Sequence, residues 1–350
     1  MFTLLALAFL AVVAAGVVYQ QLGTRRDARL VPPPGRLIDV CGRRVHVFTL
    51  GRGTPAVVFE SGIAASSLNW TAVQREVARI TSASTYDRPG FGWSDPARGP
   101  ADAASACARL RATLVAAGIA PPYVLVGHSF ASYILQLFAC RHPGEVAGLV
   151  LVDPITFEDW GTPDAVQRRA LTGGVLFARI GALVAASGLL RVLLARLEAG
   201  SASAGRAVLR SFGSAATAAV TGIVGQVGKM PREVWPAVRA HWSRPGSFLT
   251  MARYFGSLPV SARQVERALA DAPRWTFPLL VLTAGRSESH AARHRALAER
   301  STRGRHVVVE VAGHWVHLDA PATVVSAIRE VIAQALVDAR TVTPEPHAGA

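Results

Sequence analysis

Apolar residues fall along this chain in three rhythms. The first is an unbroken run, Phe2 to Tyr19 (FTLLALAFLAVVAAGVVY), followed by Gln20, Gln21 and then Arg25, Arg26 and Arg29. Eighteen residues at the helical rise reach about 27 Å, close to the thickness of a bilayer's hydrocarbon core. A cleaved signal peptide carries a basic residue ahead of a shorter apolar stretch and a small-residue site after it. No Lys or Arg precedes this run and no A-x-A site closes it, which favours an anchor over 1–24 against a cleaved signal or a buried helix. A linker follows over 25–36, in which Val31-Pro-Pro-Pro-Gly35 predicts a stiff spacer lifting the rest of the chain off the membrane. Because the arginines follow the run, the positive-inside rule places the main domain in the cytoplasm.

The second rhythm is short apolar runs alternating with helical spacing. Alternation from Leu37 to Phe48 predicts a hairpin with its turn near Gly42. The apolar run after Pro55 predicts a strand buried on both faces, and Thr81–Tyr86, Tyr123–Val126, Val146–Asp153, Phe277–Gly285 and His306–Val311 predict further strands. Between them, helical spacing covers Leu68–Ile80, Ala101–Ala117, Phe130–Cys140, Ala291–Ser301 and Pro321–Ala335. Strand–helix alternation predicts an α/β fold, a mostly parallel doubly wound sheet with helices on both faces. The third rhythm, Ile155–Trp275, is helical with no further buried strand, and its longest uncharged stretch, Ile180–Leu190, is too short to span a bilayer. It predicts a helical lid over 154–276, inserted between core segments 37–153 and 277–336, with a frayed tail over 337–350.

Composition narrows the function classes. With 51% hydrophobic and 17% charged residues, the chain has the apolar surface that a disordered protein lacks. Its three cysteines form neither a disulfide scaffold nor a C-x-x-C pair for zinc or redox chemistry. A net charge of +14 raises nucleic acid as a partner. However, Lys229 is the only lysine and the arginines are spread along the whole chain, unlike the clustered basic and aromatic faces of nucleic-acid binders. Nucleic acid is therefore not expected; attraction to anionic lipid is the alternative use of the charge.

The most informative segment is Gly127-His128-Ser129-Phe130-Ala131, which lies between a buried strand and a helix. Small residues two before and two after a serine are what a strained strand–turn–helix elbow needs to present Oγ above the sheet; Ala131 stands where the pattern has its last glycine. A serine hydroxyl needs a base. His314 lies just beyond the last strand, where a loop can return its ring to the elbow, whereas His317 is expected to pack. Two carboxylates compete to orient that base: Asp153, directly after a strand, and Glu288, in the loop after the Leu279–Thr283 strand. The backbone N–H of Phe130 and that of Ile63, in the Ser61-Gly62-Ile63 loop, are the expected oxyanion donors.

Together with Glu60-Ser-Gly-Ile63, Ser66-Ser67-Leu-Asn-Trp70 and Asp87-Arg-Pro-Gly-Phe-Gly-Trp-Ser94, these segments resemble the α/β-hydrolase superfamily, in its lid-bearing esterase, epoxide-hydrolase and haloalkane-dehalogenase-like branch. In the family the oxyanion loop normally reads His-Gly; Ser61 stands in the histidine's place. The resemblance implies that Asp153 holds the acid's position and that the Asp87–Ser94 loop is structural. Dehalogenases and epoxide hydrolases of this branch use an aspartate nucleophile, so Ser129 implies acyl chemistry. The expected function is a membrane-anchored serine hydrolase of hydrophobic carboxylic esters, needing no cofactor or metal. The alternatives are a C–C hydrolase or cofactor-free peroxidase on the same scaffold, or a non-catalytic membrane-bound binding protein.

Overall fold

Strands β3 (Ala56–Glu60), β5 (Tyr123–His128), β6 (Val146–Val152) and β7 (Leu279–Ala284) are buried almost throughout, as fully apolar runs must be when helices cover both faces. The computed structural model describes residues 1–198, 225–285 and 288–342. Successive residues of each strand enter opposite cores. Val58, Leu125, Leu149 and Val281 share a core with α3 (Ala103–Ala117), α4 (Ala131–Arg141) and residues between β6 and β7 such as Ala182 and Phe248. Val57, Phe59, Val126, Val150 and Leu282 meet α2 (Thr71–Val77) and α13 (Pro321–Val342) on the other face.

Eight strands form one sheet in the order β1-β2-β4-β3-β5-β6-β7-β8, with β1 (Arg36–Asp39), β2 (Arg44–Leu50), β4 (Ala83–Tyr86) and β8 (Gly304–Val309) completing it. The β1–β2 hairpin and the β2–β4 pair are antiparallel and every other pair is parallel. The expected hairpin turn is there: Gly42 has φ 74°, and its N–H donates to Asp39 Oδ1 at 3.0 Å. After β3 the chain moves outward to β4 and then returns to β5 on the other side. The carboxyl ends of β3 and β5 therefore flank the point where strand order reverses, the place where open α/β sheets hold their ligands.

Between β6 and β7, where the lid is expected, the described residues form α5 (Phe157–Trp160), α6 (Ala165–Ala186), α7 (Leu189–Glu198), α8 (Trp235–Trp242), α9 (Pro245–Gly256) and α10 (Leu258–Asp271). The expected lid residues 199–224 lie outside the described residues. Helix α6 lies against α9, and Gly181 permits it: a Cβ there would come 2.5 Å from the Phe248 ring. Asp164 caps α6, accepting from Gln167 N–H while the Gln167 side chain accepts in return.

Three boundaries differ from the sequence expectations. Helix α1 spans Phe2–Leu30, so much of the expected linker is helix. Nor does the linker hold the domain away from α1. Gln20 and Asp27 are buried and accept from Arg191 of α7, Oε1 from Nε at 2.8 Å and Oδ2 from Nη1 at 2.5 Å. Helix α11 (Glu288–Ala298) begins earlier than expected, and a short α12 (Val316–Asp319) precedes α13. Finally, α13 runs to Val342, so the first part of the expected tail is helical; 343–350 lie outside the described residues. Among the described residues, two helices are long and apolar enough to cross a membrane, α1 with mean hydropathy 2.5 and α6 with 1.4. The latter is more apolar than its arginines suggested.

Candidate active site

The elbow is built by a close crossing of β5 and α4. A Cβ on Gly127 would lie 2.6 Å from Leu135 Cδ1 and 3.0 Å from Ala131 Cβ. The strand can therefore approach the helix with a methyl on Ala131 only because Gly127 has none. Ser129, between them, adopts φ 55°, a left-handed conformation that is strained for any residue but glycine. Its N–H donates to Val152 O at 3.1 Å and its carbonyl accepts from Ser132 N–H at 3.0 Å. Those bonds fix the backbone of Ser129, which is half-buried just beyond the end of β5.

Asp153 ends the neighbouring strand, also at positive φ, 40°, and is almost fully buried. Its carboxylate accepts from Ala284 N–H at 3.0 Å, from His290 Nε2 at 3.2 Å and from His314 Nδ1 at 2.6 Å. With Nδ1–H committed to Asp153, neutral His314 carries its lone pair on Nε2, the tautomer a general base requires. The His314 loop is tied to the elbow a second time, because His128, the residue before Ser129, donates from Nε2 to His314 O at 2.8 Å. The two rings lie 4.5 Å apart.

Of the two expected acids, the structure brings Asp153 to His314 and leaves Glu288 elsewhere. The Glu288 side chain is 83% exposed at the start of α11 and faces Arg295 at 3.5 Å, so it is corrected as a candidate. The residues before it, 286–287, lie outside the described residues. His317 packs as expected, buried and stacked 4.4 Å from Trp70; burial, aided by His314 nearby, pushes its pKa down to about 3.

Gly62 carries the loop after β3 against the elbow: a Cβ there would come 2.9 Å from His128 Nδ1 and 3.3 Å from Ser129 Cβ. Ile63 follows directly, and Phe130 is the residue at the N-cap of α4. The two expected N–H donors thus come from segments that meet at Ser129. A buried group missed by the sequence reading holds the loop from behind. Arg88 donates to Glu60, to Ser61 O and, at 2.6 Å, to Gly62 O, while Tyr86 donates to the other Glu60 oxygen. Burial raises the Glu60 carboxyl, and the Arg88 cation opposes that shift.

The Asp87–Ser94 loop is held by hydrogen bonds to buried Asp87. Burial would raise the Asp87 carboxyl, but hydrogen bonds from His46 and from Ser67 N–H outweigh it and hold the pKa down to about 2. Gly92 is required there, since a Cβ would collide with that carboxylate.

Asp153, His290 and His294 could each offer an atom to a metal, all within 4.8 Å. Both His294 nitrogens are already engaged, Nδ1 with Thr283 Oγ1 at 2.7 Å and Nε2 donating to Pro154 O at 2.8 Å. Burial and neighbouring His290 push its pKa down to about 4. The cluster is arranged as a hydrogen-bonded brace for Asp153 and its loop.

The family described as alpha/beta hydrolase fold matches residues 55–321, well over half of the chain. The chain belongs to that family. Among curated relatives, it is 35% identical over 104 residues to the uncharacterised protein YqjL of Bacillus subtilis, covering 30% of this chain and 41% of that protein. It is 32% identical over 164 residues to the abhydrolase domain-containing protein lid-1 of Caenorhabditis elegans, covering 44% of this chain and 43% of that protein. The chain thus spans less than half the length of these relatives. Among solved structures, a thermophilic esterase from Thermogutta terrifontis superposes with TM-score 0.56 at 19% identity, over 85% of this chain and 97% of that one. The haloalkane dehalogenase DbeA from Bradyrhizobium elkani gives 0.59 at 20% identity, over 86% and 97%. At such identities these likenesses show the α/β-hydrolase fold alone.

Proposed function

We propose that this α/β hydrolase is a membrane-anchored serine hydrolase that cleaves carboxylic esters through an acyl-enzyme. Carrying this reading is the 2.6 Å contact between His314 Nδ1 and Asp153, made beside a serine held at φ 55°. In the proposed reaction Ser129 Oγ attacks the ester carbonyl as His314 Nε2 takes its proton. The imidazolium is stabilised by Asp153, and the N–H groups of Phe130 and Ile63 receive the oxyanion. His314 then gives the proton to the departing alcohol and activates water to release the acid. Ser129 stands where dehalogenases and epoxide hydrolases of this branch carry an aspartate, which favours acyl transfer over their chemistry.

Ester preference follows from the space beside the oxyanion loop. Ala64, Ala65, Phe91, Trp242, Phe248 and Met251 line a cavity of about 20 Å³, room for little more than one water. In this reading an apolar acyl group displaces side chains of the inserted helices, such as Trp242 and Phe248, as it binds. Helix α1 supplies the anchor, and the arginines after its apolar run favour a cytoplasmic catalytic domain.

Hydrolysis of p-nitrophenyl esters from acetate to palmitate, with a diketone and a peroxide assay alongside, tests the reading. Ester turnover that rises with acyl length and vanishes in Ser129→Ala is expected. Turnover of the diketone or peroxide alone would contradict it.

A further inference from the structure

The C-terminal half of α1 is locked to the lid. Gln20, Thr24 and Asp27 lie on one face of α1 by their spacing, and all three contact Arg191 of α7; Gln20 also donates to Ser243 O at 2.7 Å. The Arg191–Asp27 pair is nearly dry, with side-chain exposures of 2% and 4%. One turn earlier, Gly16 meets the corner between α6 and α7: a Cβ there would lie 2.2 Å from Ser187 O, and a Cβ on Gly188 would lie 2.7 Å from Gly16 O. Gly16 is inside the apolar run that ends at Tyr19. At the helical rise it sits about 5 Å deeper than the end of that run.

The lid corner therefore lies at the depth where a membrane-spanning α1 would cross from headgroups to acyl chains. Around it, large apolar side chains face outward: Ile180 50%, Leu183 72%, Leu189 43% and Val192 41% exposed. Ile180 and Leu183 share one face of α6 with Leu176, 55% exposed, opposite Ala178, Ala182 and Ala185, which are buried. Arg179 stands exposed beside that stripe, and Arg25, Arg26 and Arg29 are exposed on the aqueous side of α1. An apolar stripe with cations at its margin is the pattern of a helix lying in a membrane surface.

We infer that the α6–α7 corner of the lid is seated in the lipid surface, with Leu183, Leu189 and Ile180 in the acyl boundary. The occupant of this apolar face is the bilayer that holds α1, because the face is continuous with α1 and fixed to it by the Asp27–Arg191 lock. This inference rests on the anchor reading of α1. Its consequence is that the lid which must move for an acyl group to enter is itself wetted by lipid, so an ester carried in the membrane reaches it without crossing water.

The test uses the full chain with Cys41→Ser, reconstituted in phosphatidylcholine–phosphatidylglycerol vesicles containing doxyl-labelled acyl chains. A polarity-sensitive fluorophore is attached in turn at Val12→Cys, Leu183→Cys and Val115→Cys. The last site is exposed on α3, in the core domain. Loss of emission at both Val12 and Leu183, with none at Val115, is expected. Quenching at Val12 while Leu183 behaves like Val115 overturns the lid inference and leaves the anchor standing. Absence of quenching at Val12 overturns the anchor, and the inference with it.

Discussion

At the scale of single residues, the candidate site depends on who touches whom around Asp153. It accepts from His314, His290 and Ala284 N–H, so its charge is held in place before any imidazolium forms. Asp153→Asn is expected to lower kcat/KM by about 10⁴-fold, because an amide favours the wrong imidazole tautomer. Glu288→Gln is expected to leave it unchanged; parallel kinetics on the two variants check this. Both acids follow strands of the same sheet edge, and the sequence favoured Asp153, which directly follows its strand, without excluding Glu288. What decides is that Asp153 turns inward at positive φ whereas Glu288 opens a helix and points to solvent. The Arg88–Glu60 pair was also hidden, although both residues were in view. Arg88 sits in a loop that reads as a structural turn, and only the fold shows it grasping two carbonyls of the oxyanion loop. Arg88→Met is expected to destabilise by about 3–5 kcal/mol, because it leaves Glu60 buried without its cation. Pairing it with Glu60→Leu is expected to recover most of that loss in urea melts.

At the scale of elements, the elbow was legible because its requirement is local. A strand that meets a helix this closely needs a residue without Cβ, and Gly127 is where the contact falls. The Ala131 substitution in the pattern is tolerated because the partner glycine remains. Gly127→Ala is expected to destabilise by about 1–3 kcal/mol through overpacking against Leu135 and Ala131, and adding Ala131→Gly is expected to restore part of it. A double-mutant cycle in denaturant measures that coupling. Helix α1 shows the opposite case. Its apolar half is read from composition, but its continuation to Leu30 depends on Arg191, which lies more than 160 positions away. The signal available was the polar stripe Gln20, Thr24, Asp27 at spacings of four and three, a helical face that needs a partner.

At the scale of the whole molecule, the sheet was legible and the packing of the helices inserted between β6 and β7 was not. β3, β5, β6 and β7 announce themselves by continuous apolar runs, whereas the helices inserted between β6 and β7 are amphipathic segments whose partners can come from anywhere. Folding buries His241, His294 and His317 in neutral form. Burial dominates each shift, with Arg244 adding to it at His241, and folded pKa values fall to about 3, 4 and 3. A depressed histidine means that the unfolded chain binds more protons between its own pKa, near 6.5, and the folded value. Stability must therefore fall as pH drops through that window, by at most about 1.4 kcal/mol per pH unit for each histidine. Thermal melts between pH 7 and 4 are expected to show this decline, and His317→Phe is expected to make it shallower. An unchanged pH slope in that variant would remove His317 from the set.

Covalent labelling of the full chain by a fluorophosphonate, with the modified residue located by peptide mass spectrometry, tests the central claim most directly. The adduct is expected on Ser129 and nowhere else, formed much more slowly in His314→Ala. A folded, reconstituted protein that takes no label, or takes it at another residue, would contradict the assignment of Ser129 as the nucleophile.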